Sequence, residues 1–501
     1  MQYIVTKKEM QAIDAYTIDK IGIPAEVLME RAAMQVAKQV EKVNTAGGRV
    51  LIAVEGGNNG GDGLAVGRIL LEQGYNVDIF YVNSVARVSP QFQLQQNILR
   101  HMGIRLRKAI PNKDYSVVVD GIFGVGLSRP VEGAAKKAIE SLNQIEAVKI
   151  AIDVPSGIDA TTGEILGAAF RADYTVTFGL RKLGMFFSDG IDYCGKLVCA
   201  NIGFPDTAIE QVKPRIYAYD SSDMSKLPKR IDNSNKGTYG KVAVIAGSKN
   251  MSGAAFLCGK AAYRTGAGLV KIYTHESNRT IIQSQLPEAV MMTYKDYEGA
   301  LSCIEDAMKW ATVIVVGPGL GVDITSERML YELLMNAEVP LVVDADALNI
   351  LSNNIELLNT ASVSMIMTPH MKEMSRLIGK TVPEIAENRF ETARQFAKKM
   401  GVTLVLKDAK SIVTNGGEQT YINLAGNNGM STGGSGDVLS GIIAGMIAGG
   451  LSLAEAAKMG TYVHCQAGDR AAEKKGKYAM LASDIIECLG DVMRLCGNRL
   501  E

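Results

Sequence analysis

Short β-branched runs, each closed by turn-forming residues and followed by an amphipathic stretch, recur along most of this chain. In the first half they occupy residues 50–54, 77–82, 117–120 and 148–153. In the second they occupy residues 241–246, 269–273, 312–316, 340–343, 363–367 and 403–406. Strands that alternate with helices pair in parallel and bury both faces, so the pattern predicts an α/β fold with ligands at the carboxyl ends of the strands. At 501 residues the chain exceeds what one hydrophobic core organises, and two domains follow. The rhythm breaks where Pro214, Pro228, Ser221-Ser222 and Asn233-Ser234-Asn235 interrupt it. This predicts domains at 1–213 and 237–501, joined by a linker at 214–236.

Smaller signals fill in the frame. Thr6 and Glu9 are spaced as a capping box ahead of Met10, Ile13 and Ile21, which predicts an opening helix, and a second helix follows Pro24. Residues 410–422, with Asn415-Gly416 at their centre, read as a β-hairpin. The 53 basic and 53 acidic residues cancel, so phosphate recognition here is local, and neither nucleic acid nor a membrane surface is an expected partner. The amino terminus lacks the apolar core of a signal peptide, which predicts a cytoplasmic protein. The long uncharged run at 438–454 is glycine-rich and short of a bilayer span, so it reads as a buried helix and turn. Cys194, Cys199, Cys258, Cys303, Cys465, Cys488 and Cys496 form no Cys-x-x-Cys pair and read as reduced thiols without zinc.

Two glycine-rich segments carry the chemistry. In Thr432-Gly433-Gly434-Ser435-Gly436-Asp437, a glycine turn runs into a long apolar helix, so backbone N–H groups converge at a positive helix terminus and hold an anion. Asp437 in that first turn either caps the helix or takes a proton from a hydroxyl that attacks phosphorus. In the first half, Glu55-Gly56-Gly57-Asn58-Asn59-Gly60-Gly61-Asp62-Gly63 lies between a strand and a helix and adds side-chain oxygens that a plain dinucleotide loop lacks. Those oxygens point to a cation beside an anion. Asp120 to Pro130 and Asp153-Val154-Pro155-Ser156-Gly157 also follow strands and would meet that loop at one sheet edge. Asp153 is open to two readings, an acid or base and a residue that satisfies its own turn.

The second half resembles the ADP-dependent NAD(P)H-hydrate dehydratases of the ribokinase-like superfamily. Thr238-Tyr239-Gly240-Lys241-Val242, Gly247-Ser248, Ser252-Gly253-Ala254-Ala255, Gly317-Pro318-Gly319-Leu320-Gly321, Asp344-Ala345-Asp346 and Thr368-Pro369-His370 follow in that family's order. The resemblance runs from Tyr219 to Cys496. It implies that Ala254, Gly319, His370 and Asp437 contact the hydrated nicotinamide nucleotide. Lys407, Asp408, Ala409, Lys410 and Ser411, with Gly433, Gly434, Ser435 and Gly436, would hold ADP, with Mg²⁺ on its phosphates. One departure stands out: the family continues Pro-Gly-Glu after the histidine, whereas this chain reads Met371-Lys372-Glu373.

The first half, from Ile4 to Lys213, resembles the NAD(P)H-hydrate epimerases. That resemblance implies K⁺ on Asn59, Asp120 and Ser156. It implies nucleotide contacts from Asn58, Asn59, Gly60, Gly61 and Asp62, and from Gly124, Val125, Gly126, Leu127, Ser128, Arg129 and Pro130. Asp153 would be the acid or base. The fold expected is then a Rossmann-like three-layer sandwich followed by a ribokinase-like α/β/α domain. The activity expected is repair of hydrated NADH and NADPH: epimerisation of the R and S forms, then dehydration of the S form with ADP, giving AMP and phosphate. A homo-oligomer is the family-level expectation. A vitamin-precursor kinase sharing Asp437, and an amino half serving as a nucleotide- or RNA-binding scaffold, are the rival readings.

Overall fold

The computed structural model describes residues 1–82, 87–361 and 363–494. Cys496 lies outside them, and the six other cysteines are free thiols. The chain divides into one compact unit of Tyr3–Ile216 and a second that runs from Tyr217 onward and takes in Met1–Gln2. Part of the segment expected as a linker is ordered. Ile216–Ala218 is a buried strand, and Ser221–Lys226 is a 3₁₀ helix started by an Asp220/Asp223 capping box.

In the first unit six strands form one parallel sheet: β1 (Val50–Val54), β2 (Val77–Tyr81), β3 (Val117–Gly121), β4 (Val148–Ile152), β5 (Tyr174–Phe178) and β6 (Lys196–Ala200). Their order is 2-1-3-4-5-6. The chain winds one way from β1 to β2 and then crosses to the other side at β3, so a crevice opens between the ends of β1 and β3. Side chains alternate across the sheet: Val50, Ile52, Val54, Val117 and Val119 enter one core, while Leu51, Ala53 and Val118 enter the other. This two-faced burial is why the strands read as continuous apolar runs. The last two strands escape the sequence pattern because Tyr174–Phe178 buries threonines, and Lys196–Ala200 is only partly buried.

Three helices of this unit matter for the site. The Thr6/Glu9 capping box forms as its spacing predicts and starts α1 (Lys7–Tyr16). The helix does not run on regularly to Ile21. Thr17–Ile21 makes a π turn that ends at left-handed Gly22, and Ile21 is left exposed. Next, α2 (Ala25–Val43) follows Pro24, and α3 (Asn58–Glu72) follows β1.

The second unit repeats the winding on a larger sheet. Its strands are β7 (Lys241–Ile245), β8 (Leu269–His275), β9 (Val290–Tyr294), β10 (Val313–Val316), β11 (Leu341–Val343), β12 (Met365–Met367), β13 (Thr403–Leu406), β14 (Ile412–Thr414) and β15 (Thr420–Ile422). They lie in the order 9-8-7-10-11-12-13-14-15. Pairing is parallel as far as β13, and the hairpin expected around Asn415-Gly416 adds the antiparallel β14 and β15. The winding reverses between β7 and β10, so this crevice opens beyond their ends. Around it stand α4 (Ser252–Arg264), α5 (Asp346–Asn353), α6 (Met371–Ile378), α7 (Ser435–Ala448) and α8 (Leu453–Lys475). From Val438 to Ala448 α7 is buried throughout. No helix among the described residues is long and apolar enough to cross a membrane.

Candidate active sites

The amino-terminal crevice is a cavity of about 720 Å³ whose lining includes Asn58, Asn59, Asp62, Asp153 and Lys182. The second half of the expected glycine loop is helix. The turn ends at Gly57, and Asn58 begins α3, which aims the helix N-terminus into the cavity. A Cβ on Gly60 would sit 1.6 Å from the Glu55 carbonyl oxygen, and one on Gly61 would sit 2.7 Å from Met29 Cε. Gly60 lets the helix start close against the chain leaving β1, Gly61 lets it pack against Met29 of α2, and neither lines the cavity. Gly124, Val125, Gly126, Leu127, Ser128 and Arg129 form its opposite lip, and Pro130 stands outside it.

Asp153 leaves the end of β4 with φ of 63°, a left-handed conformation that a non-glycine residue adopts only when its surroundings hold it there. The holding group is Lys182, which the sequence reading missed. The Lys182 ammonium is fully buried and donates to the Asp153 carboxylate, to Thr177 Oγ1 at 2.8 Å and to the Phe178 carbonyl at 3.0 Å. Asp153 Oδ1 also accepts from Thr177 Oγ1 and from Phe178 N–H, each at 3.2 Å. No motif marks Lys182; only the fold brings it 29 residues back to Asp153.

Behind the cavity wall Asp120 is fully buried. Its carboxylate accepts from Ser156 Oγ at 2.6 Å, Ser156 N–H at 2.8 Å and Ile122 N–H at 3.2 Å. Burial still pushes its carboxyl up to about 6, against the lowering by those hydrogen bonds. No Lys, Arg or His pairs with it among the described residues. Asn59 stands near: a Cβ on Gly124 would lie 2.8 Å from Asn59 Oδ1, while Asn59 Nδ2 is buried without a hydrogen-bond partner.

In the carboxyl-terminal crevice, Gly434 takes the left-handed N-cap position of α7, and Ser435, Gly436 and Asp437 form its first turn. Glycine at 434 is required twice over, by φ of 89° and by Leu257, 2.5 Å from where a Cβ would stand. The Asp437 carboxyl is raised to about 7, first by burial and then by the neighbouring Asp344 charge, with Lys407 opposing. No hydrogen bond within the described protein engages it.

Asp344, which follows β11, organises the floor. One oxygen accepts from Lys407 Nζ and the other from Ser440 Oγ, each at 2.7 Å. Ser440 lies one turn beyond Gly436 on α7, so Asp344 ties the strand ends to the first turns of that helix. Burial pushes the Lys407 ammonium down, but Asp344, Glu373 and Asp437 together more than offset it, and its net shift is upward. A Cβ on Gly436 would lie 3.2 Å from Lys407 Nζ and 3.7 Å from Asp344 Oδ2, so a side chain there would press on both. The next residue, Ala345, holds φ of 50°, a strained bend that turns Asp346 to accept from Gly321 N–H at 2.9 Å.

The other expected residues divide into near and far. Gly319 and Ala254 face each other: a Cβ on Gly319 would come within 3.0 Å of the Ala254 methyl. The strand-end loops that carry Gly247-Ser248 and Pro318-Gly319 are joined by Gly247 N–H to Pro318 O at 2.9 Å and Ser248 N–H to Gly319 O at 2.6 Å. His370 bridges to Lys407 in parallel pairing, with Lys407 N–H donating to Pro369 O at 2.8 Å. Asp408, Ala409, Lys410 and Ser411 form the turn into the hairpin, where Asp408 pairs with Arg389 at 3.0 Å and Lys410 Nζ donates to Leu424 O at 2.6 Å. Gly433 has open space around it.

The Met371-Lys372 departure leaves the turn intact because His370 becomes the cap of α6. His370 Nδ1 accepts from Lys372 and Glu373 N–H, each at 3.1 Å, and Glu373 returns a bond to His370 N–H at 2.8 Å. His464 was also invisible in the sequence. It lies buried on α8, 3.3 Å from Ser435 Oγ, and burial helped by Lys407 lowers its pKa to about 4, so it is a neutral partner at pH 7.

Two family models match this chain. One, described as NAD(P)H-hydrate dehydratase, matches residues 242–490, and one described as the YjeF-related protein N-terminus matches residues 25–184. The bifunctional NAD(P)H-hydrate repair enzyme of Moorella thermoacetica is 36% identical over 520 aligned residues, covering 100% of this chain and 98% of its own. Among solved structures, a ribokinase-like superfamily protein from Enterococcus faecalis is 28% identical with a TM-score of 0.50, covering 56% of this chain and 95% of its own. The ADP/ATP-dependent NAD(P)H-hydrate dehydratase from Bacillus subtilis, co-crystallised with ATP and Mg²⁺, is 27% identical with a TM-score of 0.49, covering 55% and 96%.

Proposed function

This chain belongs to the bifunctional NAD(P)H-hydrate repair enzymes, and we propose how its two units divide that repair. The amino-terminal unit interconverts the R and S hydrates of NADH and NADPH, and the carboxyl-terminal unit dehydrates the S form at the expense of ADP. The observation that carries this division is a carboxylate at each switch-point crevice, Asp153 in one and Asp437 in the other, each beside a helix N-terminus open to phosphate.

In the carboxyl-terminal site Asp437 takes the proton of the C6 hydroxyl as that oxygen attacks the β-phosphorus of ADP. AMP leaves, phosphate is then expelled from C6 with the push of the ring nitrogen, and loss of a proton from C5 of the resulting iminium forms the C5=C6 bond of the dihydronicotinamide. A base raised to about 7 suits this task, because it is substantially ionised at neutral pH yet basic enough to hold the proton it takes. The first turn of α7 and Lys407 bind phosphate oxygens, while Ala254, Gly319 and His370 shape the space for the hydrated ring. Lys410 and Ser411 lie where the nucleotide would cross the hairpin turn. Mg²⁺ would be held by the nucleotide phosphates and would neutralise them, since both oxygens of Asp344 are already engaged.

In the amino-terminal unit the residues fit K⁺. Asp120 is a buried carboxylate without a basic partner among the described residues, and Asn59 has an orphaned amide whose rotation by half a turn presents an oxygen instead. Asn59, Asp120 and Ser156 would hold the ion, which would neutralise Asp120 and fix α3 against the Ser156 turn. Asn58, Asp62 and the lip from Gly124 to Arg129 hold the nucleotide. The assembly is cytoplasmic and acts on small molecules.

The test offers purified protein the mixed R and S hydrates of NADH with ADP, Mg²⁺ and K⁺. Complete recovery of the dihydronicotinamide absorbance is expected. Recovery of only the S fraction would reject the epimerase reading, and no recovery would reject both. Exchanging K⁺ for Li⁺ should slow conversion of R to S without slowing dehydration of S.

A further inference from the structure

Asp153 is not the only carboxyl group in the amino-terminal cavity. Asp62, on the second turn of α3, and Asp14, on α1, line the same space, together with Lys182 and Arg129. The three acids differ in their partners. Lys182 neutralises Asp153, whereas no hydrogen bond or ion pair among the described residues engages the carboxyl of Asp62 or of Asp14.

Resting on the epimerase reading above, we propose that Asp62 is the general acid of this site, working opposite Asp153 as general base in a ring opening and closure of the hydrate. Only one of two neighbouring carboxyls keeps its charge when a single ammonium serves them, and the geometry gives that ammonium to Asp153. Burial, with Asp153 and Asp14 adding their negative charges, holds the Asp62 carboxyl well above the usual carboxylate range. Asp62 is therefore the carboxyl placed to give a proton, and Asp153, held on the Lys182 ammonium, the one placed to take it.

The chemistry of the substrate needs that pairing. Epimerisation at C6 must free this carbon from one of its two heteroatoms. The ring nitrogen N1 is conjugated through a C=C bond to the carboxamide, so it accepts the electron pair of a breaking C6–N1 bond well. The same conjugation weakens the lone pair that would expel hydroxide. Asp153 takes the hydroxyl proton, and the O–H pair becomes the second bond of a C6 aldehyde. The C6–N1 pair moves to nitrogen, which takes the proton of Asp62. Rotation about C5–C6 presents the other aldehyde face. On closure N1 returns its proton to Asp62, attacks C6, and the oxygen recovers its proton from Asp153. Nothing is consumed, and both carboxyls end as they began.

The experiment uses the full-length protein with K⁺ and the pure R hydrate of NADPH, without ADP so that dehydration is silent, and follows the S form chromatographically. Asp62→Asn should lower kcat for epimerisation by about 10²-fold or more, with KM changed by less than about threefold. In oxygen-18 water the wild-type product should keep its original C6 oxygen. Asp14→Asn, which removes one like charge facing Asp62 and leaves Asp153, Lys182 and Arg129 in place, should move the alkaline limb of kcat/KM to lower pH. A wild-type kcat in Asp62→Asn beside a dead Asp153→Asn overturns the inference alone. A wild-type Asp153→Asn overturns the epimerase reading of the site. Uptake of one labelled oxygen per turnover overturns the ring opening, and an unmoved alkaline limb in Asp14→Asn overturns Asp62 as its source.

Discussion

Asp153 and Asp437 are the same residue type at the same kind of place, the mouth of a crevice where a parallel sheet reverses its winding. They are held in opposite ways. Asp153 sits in strained backbone with a buried lysine on its carboxylate, so it is fixed and paired. Asp437 sits in relaxed helix with no hydrogen bond from the described protein, and burial beside Asp344 raises it to about 7. In the carboxyl-terminal unit the lysine goes to the neighbour: Lys407 engages Asp344, not Asp437. A paired, anchored carboxylate suits a reversible proton shuffle at one carbon. A loosely held, weakly acidic one suits a base that must take a proton while polyphosphate enters.

Breaking the two acids separately should show the largest contrast. Asp437→Asn is expected to lower dehydration of the S hydrate by about 10²–10⁴-fold while leaving R-to-S conversion unchanged, read by absorbance and chromatography on the same samples. The next effect separates the partners. Lys182→Met leaves Asp153 buried without its counter-charge and should destabilise the amino-terminal unit by about 3–5 kcal/mol, seen as an earlier denaturant transition.

Asp437 should behave in the reverse sense. Its folded pKa lies above the unfolded value, so the stability it contributes is complete below about pH 4 and is lost as pH rises toward 7. Asp437→Asn should therefore be the more stable protein above pH 7, by up to about 4 kcal/mol, with the difference closing in acid. The same shift should make dehydration rise with pH through about 7, and Asp344→Asn should move that limb to lower pH by removing the like charge. The smallest effect belongs to His370. His370→Ala deletes the cap of α6 and should cost about 1 kcal/mol of stability in urea denaturation. His370→Asn, which keeps a capping acceptor, should recover most of it.

The comparison also marks what local sequence can carry. Asp437 is legible because its signal is contiguous: glycines that permit the turn, an aspartate in the first helical turn, and an apolar run that buries the helix. The capping box at Thr6 and the hairpin at Asn415-Gly416 are legible for the same reason. Lys182 and His464 are not, since a lone lysine or histidine means nothing until the sheet order places it, and Asp344, legible within its motif, gains its link between Lys407 and Ser440 only in the fold. The π turn after Tyr16 and the strand at Ile216–Ala218 were lost too, because each departs from the periodicity around it.

What this sequence determined by itself is a pair of doubly wound sheets and two glycine-started helices, because apolar period, turn chemistry and helix capping act within a few residues. Only the tertiary structure decided which carboxyl has a counter-charge and which is buried without one. That depends on a lysine arriving from another strand and on the loss of water around each acid, and both arise only when distant segments pack together.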